Sequence, residues 1–205
     1  MYGGRLLHAV AGRIIEAHLR LDGATTMLAT SDADPLLAEG IDLVYNRGGR
    51  AVKVKIKPDT YFGADPRKVA DKDLTFYRDA SDSYAFETIA HHMTRGPGWM
   101  FNSHADELYY YFIALGQGED EIGALMQEPD AVFFSELAVE RDELHVLPLV
   151  PLRQWFEVNQ DRYAPRPIAL GDHSGWFRIV PVADIDPSIR ANAVKGSIFS
   201  RLATR

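Results

Sequence analysis

IDLVYNRGGRAVKVKIKPDTY, residues Ile41 to Tyr61, is the stretch whose reading decides the fold. It reads as a strand, a tight turn and a second strand. The turn is Asn46-Arg47-Gly48-Gly49, and its glycines supply the positive φ that a short hairpin loop demands. In the second strand Val52, Val54 and Ile56 alternate with Lys53, Lys55 and Lys57. Successive side chains on a strand point to opposite faces. Three apolar groups therefore enter a core, and three ammonium groups line up on the other face. Pro58 is expected to end the strand, because proline cannot donate to the ladder. Asp42 opens the first strand, close enough across the hairpin to face the lysine row. An acid beside a row of lysines on a sheet points to phosphate chemistry.

The rest of the chain bounds that idea. With 205 residues, 46% hydrophobic and 25% charged, the sequence suits one globular domain with a full core. It contains no cysteine, which excludes disulfides and cysteine-based zinc sites and fits a reducing cytoplasm. The first twenty residues do not read as a secretory signal, because Arg13 and Glu16 break the apolar stretch. The apolar run Leu108 to Leu115 is too short to span a bilayer. The net charge of −7 argues mildly against nonspecific nucleic-acid binding, but its distribution is uneven. Residues 47–78 hold nine Lys or Arg against four Asp or Glu, and residues 119–143 hold nine acids and one base. A basic face opposite an acidic one lets an acidic protein dock a phosphodiester backbone. The plainer alternative is two solvated surfaces.

Outward from the hairpin, Leu6, Leu7, Val10, Ile14, Ala17 and Leu21 recur at helical spacing, with Glu16 beside the stripe. Gly23 is a natural stop. Residues 25–37 read as loop with a short strand. Strands are expected at Leu74–Tyr77, Ser83–Ala90, Trp99–Asn102, Glu107–Leu115, Val132–Val139, Glu143–Val150 and Gly175–Pro181. Glu107–Leu115 could also be helical, and Glu119–Gln127 reads as a short helix or an acidic loop. Helices are expected at Leu152–Asn159 and Ile189–Leu202, and a proline-rich loop at Tyr163–Pro167. The expectation is a single α/β domain with a core over about residues 1–150 and a C-terminal elaboration over 151–205.

A helix with an inward Glu, a strand with Asp and a strand ending in Lys follow the order of parts in a metal-dependent phosphodiesterase. Carboxylates hold Mg²⁺, which neutralises the scissile phosphate and lowers the pKa of the attacking water. A lysine positions that water or stabilises the developing charge. The ordered set is Glu16, Asp42, Lys55-Ile56-Lys57-Pro58-Asp59-Thr60-Tyr61, Phe86-Glu87, Gly98-Trp99 and Ala105-Asp106 with Tyr109 to Tyr111 beyond. In this set the chain resembles the PD-(D/E)XK nuclease superfamily over roughly its first 115 residues.

The resemblance implies a restriction-endonuclease-like mixed central sheet flanked by helices. It implies hydrolysis of nucleic acid, DNA above all, with Mg²⁺ or Mn²⁺ as cofactor, and homodimers by analogy. Glu16, Asp42, Lys57 and Glu87 would be the catalytic set, Asp42 and Glu87 the metal ligands, and Lys53 and Lys55 the phosphate contacts. The superfamily's second carboxylate normally stands two residues before the lysine, and that position is Lys55. Either Glu87 supplies the missing carboxylate, or the domain has lost its metal and only binds nucleic acid or a protein. The same residues also suit an internal salt-bridge cluster, with Glu87 paired to Lys55 or Lys57.

Other candidates carry less. Asp59 reads as a turn acid after Pro58, and Asp106 as a turn-ordering residue. His91 and His92 are adjacent on a strand and point apart, so they do not share an ion. Trp99 and Tyr109 to Tyr111 could stack bases but read as core. Ser103-His104 lacks the context of a catalytic triad.

Overall fold

The computed structural model describes residues 4–29, 34–60, 82–169 and 174–203. The fold is α/β, built on two sheets. Helix α1 (Gly4–Leu21) is followed by β1 (Thr25–Leu28), the short α2 (Pro35–Ala38), β2 (Leu43–Arg47) and β3 (Arg50–Asp59). Then come β4 (Ser83–His91), β5 (Gly96–Pro97), α3 (Trp99–Asn102), β6 (Glu107–Leu115), α4 (Glu119–Leu125) and α5 (Asp130–Glu136). The chain continues with β7 (Val139–Pro148), α6 (Leu149–Asn159), β8 (Pro165–Ala169) and β9 (Ser174–Pro181). It ends in α7 (Pro187–Arg190), β10 (Val194–Gly196) and α8 (Ser200–Ala203).

The first sheet has the order β1-β2-β3-β6-β7-β10. It is mixed, because β3 and β6 run parallel and its other pairs are antiparallel. The second sheet, β5-β4-β9-β8, is antiparallel. The hairpin forms as its sequence dictates: Arg47 pairs with Arg50, and the two-residue loop Gly48-Gly49 has φ of 61° and 81°. Both loop residues therefore need the left-handed region that glycine enters freely.

Alternation along β3 and β6 divides two cores. Val52, Val54, Ile56, Tyr109, Tyr111 and Ile113 pack with Val10, Ile14 and Ile15 of α1. The opposite face of β6, with Leu108, Tyr110 and Phe112, packs with Tyr84 and Phe86 of β4, Val180 of β9 and Leu152 and Phe156 of α6. The first sheet is thus covered on both faces. The lysine face of β3 is only partly open to solvent: Lys53 is exposed at its outer end, Lys55 is mostly covered, and Lys57 meets Phe177 of the second sheet. That placement makes partners for its charges necessary.

Several expectations are corrected. Strand β3 runs through Pro58, which is in register with Tyr111 of β6. The antiparallel neighbour β2 ends at Leu43, opposite Val54, so the missing proline N–H deprives no ladder on that side. Trp99–Asn102 is a helical turn, not a strand, because the Glu87 carboxylate accepts the Trp99 amide at its start. Val132–Val139 is not a strand: Asp130–Glu136 is helix α5. Its Phe133 and Phe134 are buried, and Arg13 bonds to Asp130, Met126 O and Glu128 O around its start. The Tyr163–Pro167 loop is largely edge strand β8, whose position at the sheet margin tolerates proline. The C-terminal helix over Ile189–Leu202 is broken into α7, β10 and α8, with Gly196 at φ 74°. The expected strand at Leu74–Tyr77 lies outside the described residues. The segment after residue 150 supplies β8 and β9 to the second sheet and β10 to the first.

Candidate functional site

Asp42 sits at the mouth of the hairpin. Gly40, with φ 67° and pressed against the Ser103 backbone, turns the chain from α2 into β2. The Asp42 amide donates to Val54 O at 2.9 Å, extending the ladder by one bond beyond Leu43. This register sets Asp42 across from Lys55. The Lys55 ammonium lies 3.2 Å from Asp42 Oδ1 and 3.1 Å from Oδ2. The Ile56 amide donates to Oδ2 at 2.6 Å, so the carboxylate replaces a strand partner. His8 of α1 brings Nε2 to 3.3 Å from Oδ1. Asp42 is 2% exposed, the Lys55 side chain 16% and the His8 side chain 37%.

Burial is the largest influence on the Asp42 carboxyl and pushes its pKa up. The His8 hydrogen bond, the Lys55 and His8 charges and the Ile56 amide outweigh it and hold the pKa below the ordinary aspartate value.

Lys57 lies deeper on the same face, its ammonium 5.5 Å from the centre of the Phe177 ring. Burial pushes its pKa down; Glu87, then Asp59, push back, Lys55 lowers it and Asp42 raises it. The structure therefore brings Asp42, Lys55, Lys57, Asp59 and Glu87 into one electrostatic cluster. Glu87 holds the Trp99 amide at 3.0 Å through Oε2. Gly98 packs on the backbone of Glu87, where a Cβ would stand 2.4 Å from the Glu87 carbonyl oxygen.

Two expected members stand apart. Glu16 bonds to Arg20 at 2.7 Å and to Thr26 at 3.0 Å. It lies eight residues, about 12 Å of helix, from His8, which is the α1 residue that touches Asp42. Lys53 pairs with Glu39 at 3.3 Å in an exposed bridge.

The sequence reading missed His8, whose position on α1 carries no periodic signal. It also placed Asp59 in a turn. Asp59 ends β3, is buried, and accepts a hydrogen bond of 2.5 Å from Tyr110. Its spacing of two from Lys57 would have put it on the lysine face, had the strand been continued through Pro58.

Of the remaining candidates, His91 ends β4 and His92 lies in the turn beyond it. Asp106 ties β6 to β3, accepting from the Lys53 amide and donating its own amide to Lys53 O, both at 2.8 Å. His91 Nδ1 accepts from the Met93 amide and His92 Nδ1 from Trp176 Nε1. Trp99 and Tyr109 to Tyr111 are buried, and Ser103 donates to Gly40 O.

Asp42 and Glu87 do not fit a Mg²⁺ ion in this arrangement. Both oxygens of Asp42 already accept from N–H groups, two of its partners being side chains that can carry positive charge. Lys55 sets a positive charge against the same oxygens, where a hard dication takes several oxygen donors together. Among the described residues, no helix is long and apolar enough to cross a membrane.

No protein-family model matches the chain, and neither the curated proteins nor the solved structures compared with it give a match.

Proposed function

We propose that the chain is a nuclease-like protein of restriction-endonuclease-like architecture that binds the phosphodiester backbone of nucleic acid at the Asp42–Lys55 site. Lysine there takes the part that a metal plays in the enzymes it resembles. The observation that carries this reading is convergence. Asp42, Lys57 and Glu87 come from three separate segments, and the charges of both acids act on the Lys57 ammonium. Lys53 and Lys55 stand at the outer end of the row and meet the phosphates, with Lys57 behind them. A phosphate oxygen competes with Asp42 for the Lys55 ammonium, so binding is an exchange of one anion for another. It also releases counterions and is weakened by salt.

A second reading is Mg²⁺- or Mn²⁺-dependent hydrolysis, for which Asp42 and Glu87 would have to exchange their present N–H partners for the ion. The burial-lowered pKa of Lys57 favours it, since an amine nearer neutrality is the better base.

Fluorescence anisotropy with labelled single- and double-stranded DNA and RNA, in chelator and at two salt concentrations, tests the proposal. Salt-sensitive binding that survives Asp42→Ala and weakens in Lys55→Ala supports it. Cleavage that requires Mg²⁺ and disappears in both Asp42→Ala and Lys57→Ala establishes the second reading instead. No salt-sensitive binding to any of these nucleic acids overturns both.

A further inference from the structure

Asp59 and Tyr110 form a buried pair beside Lys57 that the motif pattern does not name. Lys57 is in register with Tyr110 in the parallel β3–β6 pair, and Asp59 with Phe112. Lys57, Asp59 and Tyr110 therefore share one face of the sheet, with Asp59 about 7 Å along the strand from Lys57. Both members of the pair are buried. The Tyr110 hydroxyl donates to Asp59 Oδ2 at 2.5 Å and accepts from the Ala85 amide of β4 at 2.9 Å. The hydroxyl is fixed from the second sheet and in turn fixes the carboxylate. On its other side the Lys57 ammonium meets the Phe177 ring, which offers a π-face and no hydrogen-bond acceptor. The Lys57 charge is thus met from two elements: by Glu87 of β4, which pairs with Phe177 in the β4–β9 register and is held by the Trp99 amide, and by Asp59 on its own strand.

We propose that Asp59, held by Tyr110, is a positioning residue of this site that orients the Lys57 ammonium and supplies part of its counter-charge beside Glu87. The inference rests on the nucleic-acid-binding reading for its use, because a lysine kept charged and in place is what a phosphate-binding row needs. The electrostatics agree: burial pushes the Lys57 pKa down, Lys55 adds to that, and the charges of Glu87, then Asp59, then Asp42 push it back up. Asp59 also accounts for Tyr110, whose hydroxyl pKa is driven far up by burial and by the adjacent carboxylate, so it stays a donor.

The test is a pH titration of the Lys57 side chain by carbon and nitrogen NMR in the full chain, with the resonance assigned by Lys57→Met. In Asp59→Asn, which keeps an acceptor for Tyr110, the Lys57 midpoint moves to lower pH. In Asp59→Glu, which restores the charge, it returns towards the parent. An unchanged midpoint in a folded Asp59→Asn overturns the inference. If that variant does not fold, the parent chain decides: the Lys57 resonance must move where the Asp59 carboxyl titrates, and no coupled movement overturns the inference equally. Nucleic-acid binding is measured on the same samples. Its absence in the parent sinks the binding reading and leaves the titration to decide the Asp59 role. Where the parent binds, Asp59→Asn is expected to lose affinity at a lower pH than the parent does.

Discussion

The Lys55 ammonium bridges both oxygens of Asp42, at 3.2 and 3.1 Å, across the mouth of the β2–β3 hairpin. A carboxylate this buried depends on its partners. Removing Lys55 leaves it with His8 and the Ile56 amide. Lys55→Ala is therefore expected to cost about 2 kcal/mol, below the roughly 3–5 kcal/mol of a fully buried pair that loses one member. Chemical denaturation at pH 7 measures it, and a variant as stable as the parent contradicts the assignment.

The same pair predicts a pH dependence. The folded-state pKa of Asp42 lies below its ordinary value, so as pH falls the unfolded chain takes up the proton first. The stabilisation is complete above the ordinary carboxylate range, about pH 5, and is lost as pH falls through the folded-state pKa. Asp42→Asn should thus be less stable than the parent at neutral pH, with the gap closing below about pH 4. A gap constant from neutral to acid pH would show that the carboxylate charge contributes nothing.

Gly98 and Gly123 make opposite predictions for the same substitution. A Cβ on Gly98 would stand 2.4 Å from Glu87 O and 2.5 Å from Glu87 C, both backbone atoms that cannot swing aside. Gly98→Ala should push α3 off β4, disturb the Glu87–Trp99 bond and cost about 1–3 kcal/mol. Gly123 lies inside α4, where a Cβ would have nothing within 4 Å. Gly123→Ala should stabilise by up to about 1 kcal/mol through helix propensity. Melting temperatures of the two variants should move in opposite directions from the parent.

What the sequence made legible follows from what alternation and periodicity encode. The α1 stripe and the hairpin were readable because Leu6 to Leu21 and Val52 to Ile56 each repeat at one period, and Gly48-Gly49 has one conformational use. Alternation tells which residues share a face but not what covers it, so the lysine row alone does not distinguish Lys57, set against Phe177 of β9, from the exposed Lys53. The short helices α3 and α5 were hidden because they are fixed by distant groups, the Glu87 carboxylate and Arg13, rather than by their own propensity. Of the site, Asp42 and its lysine were visible in the hairpin. His8 was not, since contact between α1 and β2 depends on how the helix crosses the sheet. Glu16 carried the expected residue type, but about two helical turns along α1 from His8, which touches Asp42.

Asp142 ties the C-terminal segment to the first sheet. It accepts from Tyr111 Oη at 3.0 Å, Ser197 Oγ at 2.5 Å, and the Ile198 and Phe199 amides at 2.8 and 3.0 Å. Asp142→Ala orphans a buried hydroxyl and two amides together, each costing about 1–3 kcal/mol if water does not reach it. The expected result is loss of α8 docking, read as faster amide exchange at Ile198 and Phe199 and as earlier proteolytic cleavage at Arg201. Protection unchanged at those amides would mean that the apolar contacts of Ile198, Phe199 and Leu202 hold the segment unaided.

The last prediction concerns the link between the two sheets. Tyr84 of β4 meets His145 Nδ1 at 2.6 Å, and His145 Nε2 meets Glu143 Oε1 at 2.6 Å. An ionised carboxylate only accepts, so Nε2 must carry the proton. In the neutral ring Nδ1 is then the acceptor, and the Tyr84 hydroxyl donates to it. Burial drives the Tyr84 hydroxyl pKa up and keeps it a donor. Nitrogen NMR at neutral pH should show the Nε2–H tautomer for His145, a ring only 1% exposed. Tyr84→Phe should remove one buried hydrogen bond and cost about 1–2 kcal/mol. In a His145→Phe background the same change should cost less, because the acceptor is already gone, giving a coupling of about 1 kcal/mol between the sheets. Additive effects of the two substitutions, or an Nδ1–H tautomer, would rule out the donor assignment.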